Sequence, residues 1–223
     1  MIELWGRRNS NNVMAVLWAL DELNVEYKRY DVGGSFGGLN TESFLAMNPN
    51  GKIPVIKDRG KTLYESTTII RYLATAYGNA SLWAQDPYEK AIADQWMDWC
   101  KSTFYPAFHP LFWGLIRTPE SERDLAKSAQ QAINTAKVLQ IANNHLEVND
   151  HLGGEYFSIA DIPLGACIYR YYHLDIERPP LPALERWYSS LTLRPAYQKH
   201  IMIPFGQNLT EWLELESAGS SVD

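Results

Sequence analysis

Three short groups of residues in this sequence combine polar chemistry with apolar, structure-forming neighbours. Pro54 interrupts an apolar run typical of a strand and, because proline has no backbone N–H, removes one donor from the sheet ladder. The acid–hydroxyl pair Glu65-Ser66 follows soon after it. Ser10 and Asn12 precede an apolar run with helical periodicity, and serine and asparagine are typical caps before such a run. From the residues alone, what compensates for the donor missing at Pro54 stays open.

The first 80 residues, which contain all three groups, alternate between strand and helix patterns. Predicted strands cover residues 2–5, 26–32, 55–58 and 62–64, the last two forming a hairpin. Apolar residues at helical spacing predict helices over 12–23, 43–47 and 67–77. The order β-α-β-α-β-β-α predicts an α/β domain over residues 1–79.

From about residue 88 the strand signal disappears. Long amphipathic runs predict helices over residues 88–117, 119–150, 158–172, 182–191 and 195–200. They indicate an all-helical domain over residues 88–206, followed by a tail, 207–223. Within the tail, TEWLELE (210–216) is compatible with a helix, and SAGSSVD (217–223) is expected to be disordered.

Prolines and hydroxyls predict where these helices bend and begin. Pro106 and Pro110 lie inside the first long helix and are expected to bend it. For the second helix, Thr118 is the predicted N-cap, because proline, here Pro119, is favoured at the first helical position. Ser158 is predicted to cap the third helix, with the Asp161 carboxylate three residues on reaching back to the serine N–H.

Composition excludes several classes of function. Hydrophobic residues make up 46% and charged residues 21% of the chain, as in a globular protein. A net charge of −6 without a basic run argues against nucleic-acid binding, and the longest apolar runs are too short for a membrane span. The N-terminus lacks the pattern of a secretory signal, so the expected location is the cytoplasm. Cys100 and Cys167 are expected to be buried, reduced thiols, and the five histidines lack metal-ligand spacing.

Five short motifs together resemble the cytosolic glutathione S-transferase family. They are NPNGKIPVI (48–56), YES (64–66), RYL (71–73), SIAD (158–161) and RP (194–195). The opening LWGRRNSNNV (4–13) further resembles a bacterial branch with a serine near the first helix. The resemblance covers about residues 1–205 and implies a thioredoxin-like N-terminal domain followed by a helical bundle, an α/β plus all-α chain that acts as a homodimer with no metal.

The resemblance implies how glutathione would bind. The proline that matches Pro54 is cis in this family, and the residue before it, here Ile53, pairs its backbone with the cysteinyl unit of glutathione. Ser66 would cap the following helix and hold the γ-glutamyl carboxylate at the helix N-terminus. Glu65 would pair with the ligand ammonium, and Lys52 would meet the glycyl carboxylate.

The resemblance also implies a hydrogen-bond donor beside the glutathione sulfur, in the loop after the first strand. Ser10 matches the serine position and would donate its O–H to the thiolate, while Asn12 at the start of the helix is a second candidate. Arg7 or Arg8 would add positive charge. The alternative for Ser10 is helix capping alone.

The electrophile would bind between the two domains. Candidates from the long helix are Tyr105, Phe108, His109, Phe112 and Trp113, although aromatics at this spacing also fit a packed core. Arg117 would hold an anionic substrate or end the helix against its dipole.

The expected activity is conjugation of the glutathione thiolate to hydrophobic electrophiles. Glutathione-dependent peroxide reduction or dehalogenation, and a non-catalytic ligand-binding module, are the alternatives.

Overall fold

A four-stranded sheet forms the centre of the first domain. The computed structural model describes residues 1–78 and 82–218. The strands are β1 (Ile2–Trp5), β2 (Tyr27–Tyr30), β3 (Val55–Asp58) and β4 (Lys61–Tyr64). They lie in the order β2-β1-β3-β4, with β1 parallel to β2 and β3 antiparallel to both β1 and β4. This is the thioredoxin-like arrangement that the resemblance implies, and it contains the hairpin that the residue pattern predicts.

The helices of the first domain are α1 (Asn11–Glu22), α2 (Glu42–Met47) and α3 (Ser66–Tyr77). Every residue of α1 from Val13 to Leu20 is buried, because α3 packs on one side of it and the second domain on the other. Trp18 is fully buried at this junction. A Cβ at Gly165 would lie only 2.7 Å from the Trp18 ring, so the contact between the domains requires glycine there.

In its described residues the second domain consists of helices joined by loops, with one isolated bridge between His151 and Gly154. Its helices are α4 (Pro87–Trp99), α5 (Tyr105–Phe112), α6 (Leu125–Leu146), α7 (Asp161–His173), α8 (Pro182–Thr192) and α9 (Pro195–His200). The first predicted helix is continuous, since π-helical turns at Cys100–Phe104 and Trp113–Arg117 extend α5 in both directions. Cys100 and Cys167 are buried free thiols, as predicted.

The predicted start of the second long helix is wrong. Pro119 has extended geometry, and the Thr118 hydroxyl donates to the carbonyl of Trp113 instead of capping a helix. The helix begins at Leu125, because the carboxylate of Asp124 accepts the backbone N–H of Lys127 at 2.9 Å. A charged oxygen next to the first turn is a strong capping group, and it sets the boundary here.

The third helix also begins later than Ser158. Its first residue is Asp161, and the Ser158 hydroxyl accepts the N–H of Ala160. The predicted return bond is present, because one Asp161 oxygen accepts the Ser158 N–H at 2.9 Å. The other oxygen accepts the N–H of Leu152 and the indole N–H of Trp187. Asp161 therefore fastens a loop and α8 to α7 as well as capping a turn.

The predicted tail is partly an ordered element of the fold. Residues Leu209–Ala218 form α10, which packs on the turn Gly34–Phe36 and on the π-helical turn Trp113–Arg117. Trp212 and Glu216 on this helix are buried. Of the segment predicted to be disordered, 217 and 218 are helical, and 219–223 lie outside the described residues. No helix in the described ranges is long and apolar enough to span a membrane.

Candidate functional site

The loop after β1 meets the segment before β3 at a glycine. A Cβ at Gly6 would lie 2.5 Å from a methyl group of Val13 and 3.4 Å from the Cβ of Ile53, so only glycine allows this approach. The Ile53–Pro54 peptide bond is cis, as the resemblance implies. Within the described part of the chain, the backbone of Ile53 has no hydrogen-bond partner. Its N–H and C=O are therefore available to a peptide ligand.

The starts of α1 and α3 are joined by a side-chain hydrogen bond. The Ser66 hydroxyl donates to the Asn12 amide oxygen at 3.3 Å, and Ser66 is buried. The same oxygen accepts the Lys101 ammonium group at 3.4 Å, from the π-helical turn before α5. Because Asn12 uses its oxygen in this way, its amide N–H₂ group remains as a donor. Polar groups from both domains thus meet at this point.

The predicted capping role of Ser66 is wrong. Glu65 occupies the N-cap position with φ of 68°, and Ser66 is the first helical residue. A positive φ is uncommon for a residue with a side chain. With the Ser66 hydroxyl directed to Asn12, no described side chain caps the start of α3. Lys52 precedes β3 and Glu65 follows β4, and both side chains are exposed.

Ser10 lies at the N-cap position of α1, as its sequence context predicts. Its backbone carbonyl accepts the N–H of Met14 at 2.8 Å, but its hydroxyl forms no capping bond with any described residue. Capping by the side chain therefore does not account for this serine. The helix that follows it has 12 residues and begins with two asparagines, so no acidic side chain offsets the positive end of its dipole.

The five aromatic candidates do not line one pocket. Phe108 is fully buried, stacks on Phe104 and contacts the tilted ring of Phe112, which is also in the core. His109 and Trp113 line a separate surface depression with residues of α6. Burial, and then the nearby Arg117, lower the pKa of His109. Phe108 and Phe112 are therefore core residues, which agrees with the alternative that aromatics at this spacing form a packed core.

Tyr105 is the aromatic residue that reaches the cleft between the domains. It lines a small enclosed cavity with the polar residues Asn12, Ser66 and Lys101, and with Cys100 and Cys167. Burial raises the pKa of Tyr105 to about 12, so its hydroxyl is protonated at neutral pH. It can therefore act as a hydrogen-bond donor. Burial also raises the pKa of both thiols, which makes them poor nucleophiles.

Sequence reasoning named Arg7 and Arg117 but missed two buried charged residues near them, Arg170 and Glu216. Arg170 is buried and donates to the carbonyl of Asn9 at 2.7 Å. Arg7 lies 3.1 Å from the buried carboxylate of Glu216 on α10. Lys101 was missed as well. These residues are separated by up to 209 positions, so no local pattern could relate them.

The sequence matches two domain families that together define a class of protein. Residues 1–75 match the glutathione S-transferase N-terminal domain, and residues 102–195 match the glutathione S-transferase C-terminal domain. In the described ranges, no cluster of histidine, cysteine or acidic residues is placed to bind a metal ion. A thioredoxin-like domain followed by this helical domain defines the class as that of the two-domain glutathione-dependent enzymes.

Individual relatives agree over nearly the whole chain. Glutathione S-transferase GstB from Escherichia coli K12 is 39% identical over 206 residues, which cover 92% of this chain and 99% of the relative. Glutathione S-transferase 3 from Zea mays is 30% identical over 210 residues, or 90% of this chain and 93% of the relative.

A solved structure matches closely as well. It is the theta class glutathione S-transferase of Xanthomonas axonopodis pv. citri, crystallised with glutathione bound. It superimposes with a TM-score of 0.88 at 45% identity, covering 92% of this chain and 99% of that chain. The chain described here belongs to the glutathione S-transferase family. It is a glutathione transferase with glutathione as its co-substrate.

Proposed function

We propose that this enzyme activates glutathione with Ser10 and transfers its sulfur to a hydrophobic electrophile bound between the domains. The Ser10 hydroxyl donates a hydrogen bond to the thiolate. The thiolate attacks the electrophilic carbon, a carbon–sulfur bond forms, and the leaving group departs with its bonding electrons. The observation that carries the proposal is the hydroxyl of Ser10, which makes no capping bond at the start of α1, two residues before the Asn12 that Ser66 contacts.

The choice of Ser10 over Asn12 follows from how each side chain is used. The Asn12 oxygen is held by Ser66 and Lys101, which fixes its amide group in the cavity. The Ser10 hydroxyl is free to rotate toward a ligand, because it is not consumed by capping. A hydroxyl at the positive end of a helix stabilises an adjacent thiolate by a charge-assisted bond and by the helix dipole.

The rate gain that Ser10 can provide by lowering the pKa of the thiol is limited. A thiol with a pKa near 8.5 is only a few per cent ionised at pH 7. Lowering this pKa by two units needs about 2.7 kcal/mol and raises the thiolate fraction roughly 25-fold. Intrinsic nucleophilicity falls with the pKa, at a Brønsted slope of about 0.4–0.5, so the net gain is only several-fold. Positioning of the electrophile must supply the remaining acceleration.

The glutathione backbone would be held by the first domain. Ile53 pairs with the cysteinyl unit through its free N–H and C=O. When glutathione binds, the Ser66 hydroxyl turns from Asn12 to the γ-glutamyl carboxylate, and the N–H groups at the start of α3 bind the same carboxylate, because a helix N-terminus attracts anions. Exposed Glu65 pairs with the ligand ammonium, and exposed Lys52 meets the glycyl carboxylate. Pro54 keeps the strand edge at Ile53 open, since it has no N–H.

On the opposite side of the cleft we assign Tyr105 to the electrophile. Tyr105 lines the cavity, and its hydroxyl is protonated at neutral pH. His109 and Trp113 remain candidates for the outer edge of the electrophile site. The family resemblance further supports a two-fold homodimer in the cytoplasm. Conjugation is preferred to peroxide reduction or dehalogenation because the relatives are transferases by name.

Steady-state conjugation kinetics of two variants would test the assignment. Ser10→Ala should lower kcat several-fold at pH 7, because the lost hydrogen bond raises the pKa of the bound thiol while the thiolate that remains is intrinsically more nucleophilic. Asn12→Ala should mainly raise KM for glutathione, since Asn12 orients Ser66. Ser189→Ala, an exposed serine on α8, is the matched control and should behave as wild type. If Ser10→Ala has wild-type kcat while Asn12→Ala loses it, the assignment is wrong.

A further inference from the structure

Three arginines from three distant parts of the chain surround one tryptophan at the cleft. The guanidinium carbons of Arg7, Arg117 and Arg170 lie 5.7, 4.8 and 5.1 Å from the ring centre of Trp212. Arg117 also lies 4.4 Å from the ring centre of Trp113. Tryptophan faces attract cations, so these contacts hold the guanidinium groups in place. We call Arg7, Arg117 and Arg170 the arginine cluster.

The arginine cluster has more positive charge than its surroundings neutralise. Glu216 is the only carboxylate that acts electrostatically on Arg7 or Arg117 among the described residues. Its pKa is lowered, because bonds from Ser35 and the charges of Arg7 and Arg117 outweigh the effect of burial. Three guanidinium groups thus face one carboxylate. An uncompensated charge in a buried site is costly, so the cluster favours a second anion.

Several buried donors in the cluster also lack an acceptor. The Nε atoms of Arg7 and Arg117 and the indole Nε1 of Trp212 have no hydrogen-bond partner in the ranges that the structure describes. Buried N–H groups are nearly always paired in folded proteins. The unpaired N–H groups, together with the guanidinium charges, are therefore suited to an anionic acceptor such as a carboxylate.

Tyr105 connects the arginine cluster to the reaction site. It interacts electrostatically with all three arginines. It also lines the cavity that contains Asn12, Ser66 and Lys101. An anion held by the arginines and a sulfur held near the start of α1 would therefore both lie close to Tyr105. This is a suitable arrangement for a small electrophile that has an acidic group at one end.

We propose that Arg7 and Arg117 bind a carboxylate of the electrophile, so that this enzyme prefers carboxylate-bearing electrophiles to neutral ones of the same shape. This inference rests on the proposed function, because it names the substrate class of the same site. In the free enzyme the carboxylate of Glu216 interacts with Arg7 and competes with the substrate for it. The C-terminal helix α10 thereby tunes the specificity for anionic substrates.

The glycine turn after β2 supports the role of Glu216. A Cβ at Gly34 would lie 2.6 Å from a Glu216 oxygen and 2.7 Å from the Arg7 side chain. The backbone therefore passes directly against both charged groups. The Ser35 N–H and hydroxyl both donate to the same Glu216 oxygen, at 2.8 and 2.6 Å. Glutamine at position 216 can still accept these two bonds but has no charge to compete with a substrate.

The test compares two aryl halides of the same shape, one with a carboxylate and one with a neutral carboxamide. They are a chlorodinitrobenzoate, with the chlorine para to the carboxylate, and the corresponding chlorodinitrobenzamide. In both, the thiolate sulfur bonds to the chlorine-bearing carbon and chloride leaves with the bonding pair, with no net oxidation. The readout is the ratio of kcat/KM for the benzoate to kcat/KM for the benzamide, each corrected for the uncatalysed rate.

We expect a ratio well above one for the wild-type enzyme. Arg117→Gln should lower it about tenfold or more, and Arg117→Lys should restore part of it. Glu216→Gln should raise it several-fold, mainly through a lower KM for the benzoate. Lys137→Gln, which removes one positive charge from an exposed site on α6, should leave it unchanged. Arg117→Gln and Glu216→Gln should change the ratio in opposite directions, and a general loss of folding would not produce that pattern.

A ratio that is the same in wild type and Arg117→Gln would overturn the inference while leaving the proposed function intact, provided the benzamide is conjugated. An unchanged ratio in Glu216→Gln would overturn the competing role of α10. Failure to conjugate either compound, together with no retention on immobilised glutathione, would instead refute the proposed function itself.

Discussion

The two sides of the cleft are built in different ways. On the side that we propose binds glutathione, short polar side chains and backbone groups lie at the starts of α1 and α3, close to residues that neighbour them in sequence. On the opposite side, long charged side chains converge from the loop after β1, the end of the π-helical turn, α7 and α10. The first side can bind one unchanging peptide, glutathione, whereas substitution of single side chains on the second side can change which electrophile binds. This difference suits an enzyme with one fixed substrate and one variable substrate.

The largest expected effect is a loss of unfolding free energy, caused by a mutation in the helical scaffold that supports both sides of the cleft. Asp161 is fully buried and accepts hydrogen bonds from Leu152, Ser158 and Trp187. Asp161→Ala leaves these three donors unpaired and should lower the free energy of unfolding by about 3–5 kcal/mol. Urea denaturation would measure it. Asp150→Ala, at an exposed position before the same loop, is the control and should cost less than about 0.5 kcal/mol.

On the glutathione side, Ser66→Ala should weaken glutathione binding by about tenfold or more, because the γ-glutamyl carboxylate loses a charge-assisted bond. The affinity can be measured by isothermal titration calorimetry. Thr68→Ala, an exposed hydroxyl two residues along α3, is the matched control. Equal affinities for the two variants would show that the start of α3 does not bind glutathione.

On the opposite side, the docking of α10 should depend on pH. The pKa of Glu216 is lowered in the folded protein, so its ion pair stabilises the fold above the unfolded pKa, near 4.5. This contribution is lost as the pH falls through the lower, folded pKa. The difference in unfolding free energy between wild type and Glu216→Gln should be about 1–2 kcal/mol at pH 7 and shrink below pH 4. A difference independent of pH would contradict the assignment.

The same contrast explains what the sequence could reveal. The order of the elements, the hairpin and the cis Ile53–Pro54 bond were predicted because they depend on local patterns or short motifs. The start of α6 was misplaced because two capping groups, Thr118 and Asp124, compete within seven residues. This error is a local one, because the Asp124 carboxylate is a stronger helix cap than the Thr118 hydroxyl that precedes Pro119.

The electrophile side was harder to predict for a different reason. The pairing of Arg7 with Glu216 joins the two ends of the chain, and only the folded structure brings them together. Aromatic spacing along one helix did not separate the core residues Phe108 and Phe112 from Tyr105, which faces the cleft. That separation depends on which neighbours cover each side of the helix. The roles of the site residues themselves stay predictions.

The central claim is that the start of α1 stabilises the thiolate of bound glutathione. Ultraviolet difference titration of the enzyme–glutathione complex measures the pKa of the bound thiol directly. In the wild type we expect a value at least one unit below the free value of about 8.5, and in Ser10→Ala a value shifted back toward it. A bound thiol with the free pKa in the wild type, or the same lowered pKa in Ser10→Ala, would contradict the account.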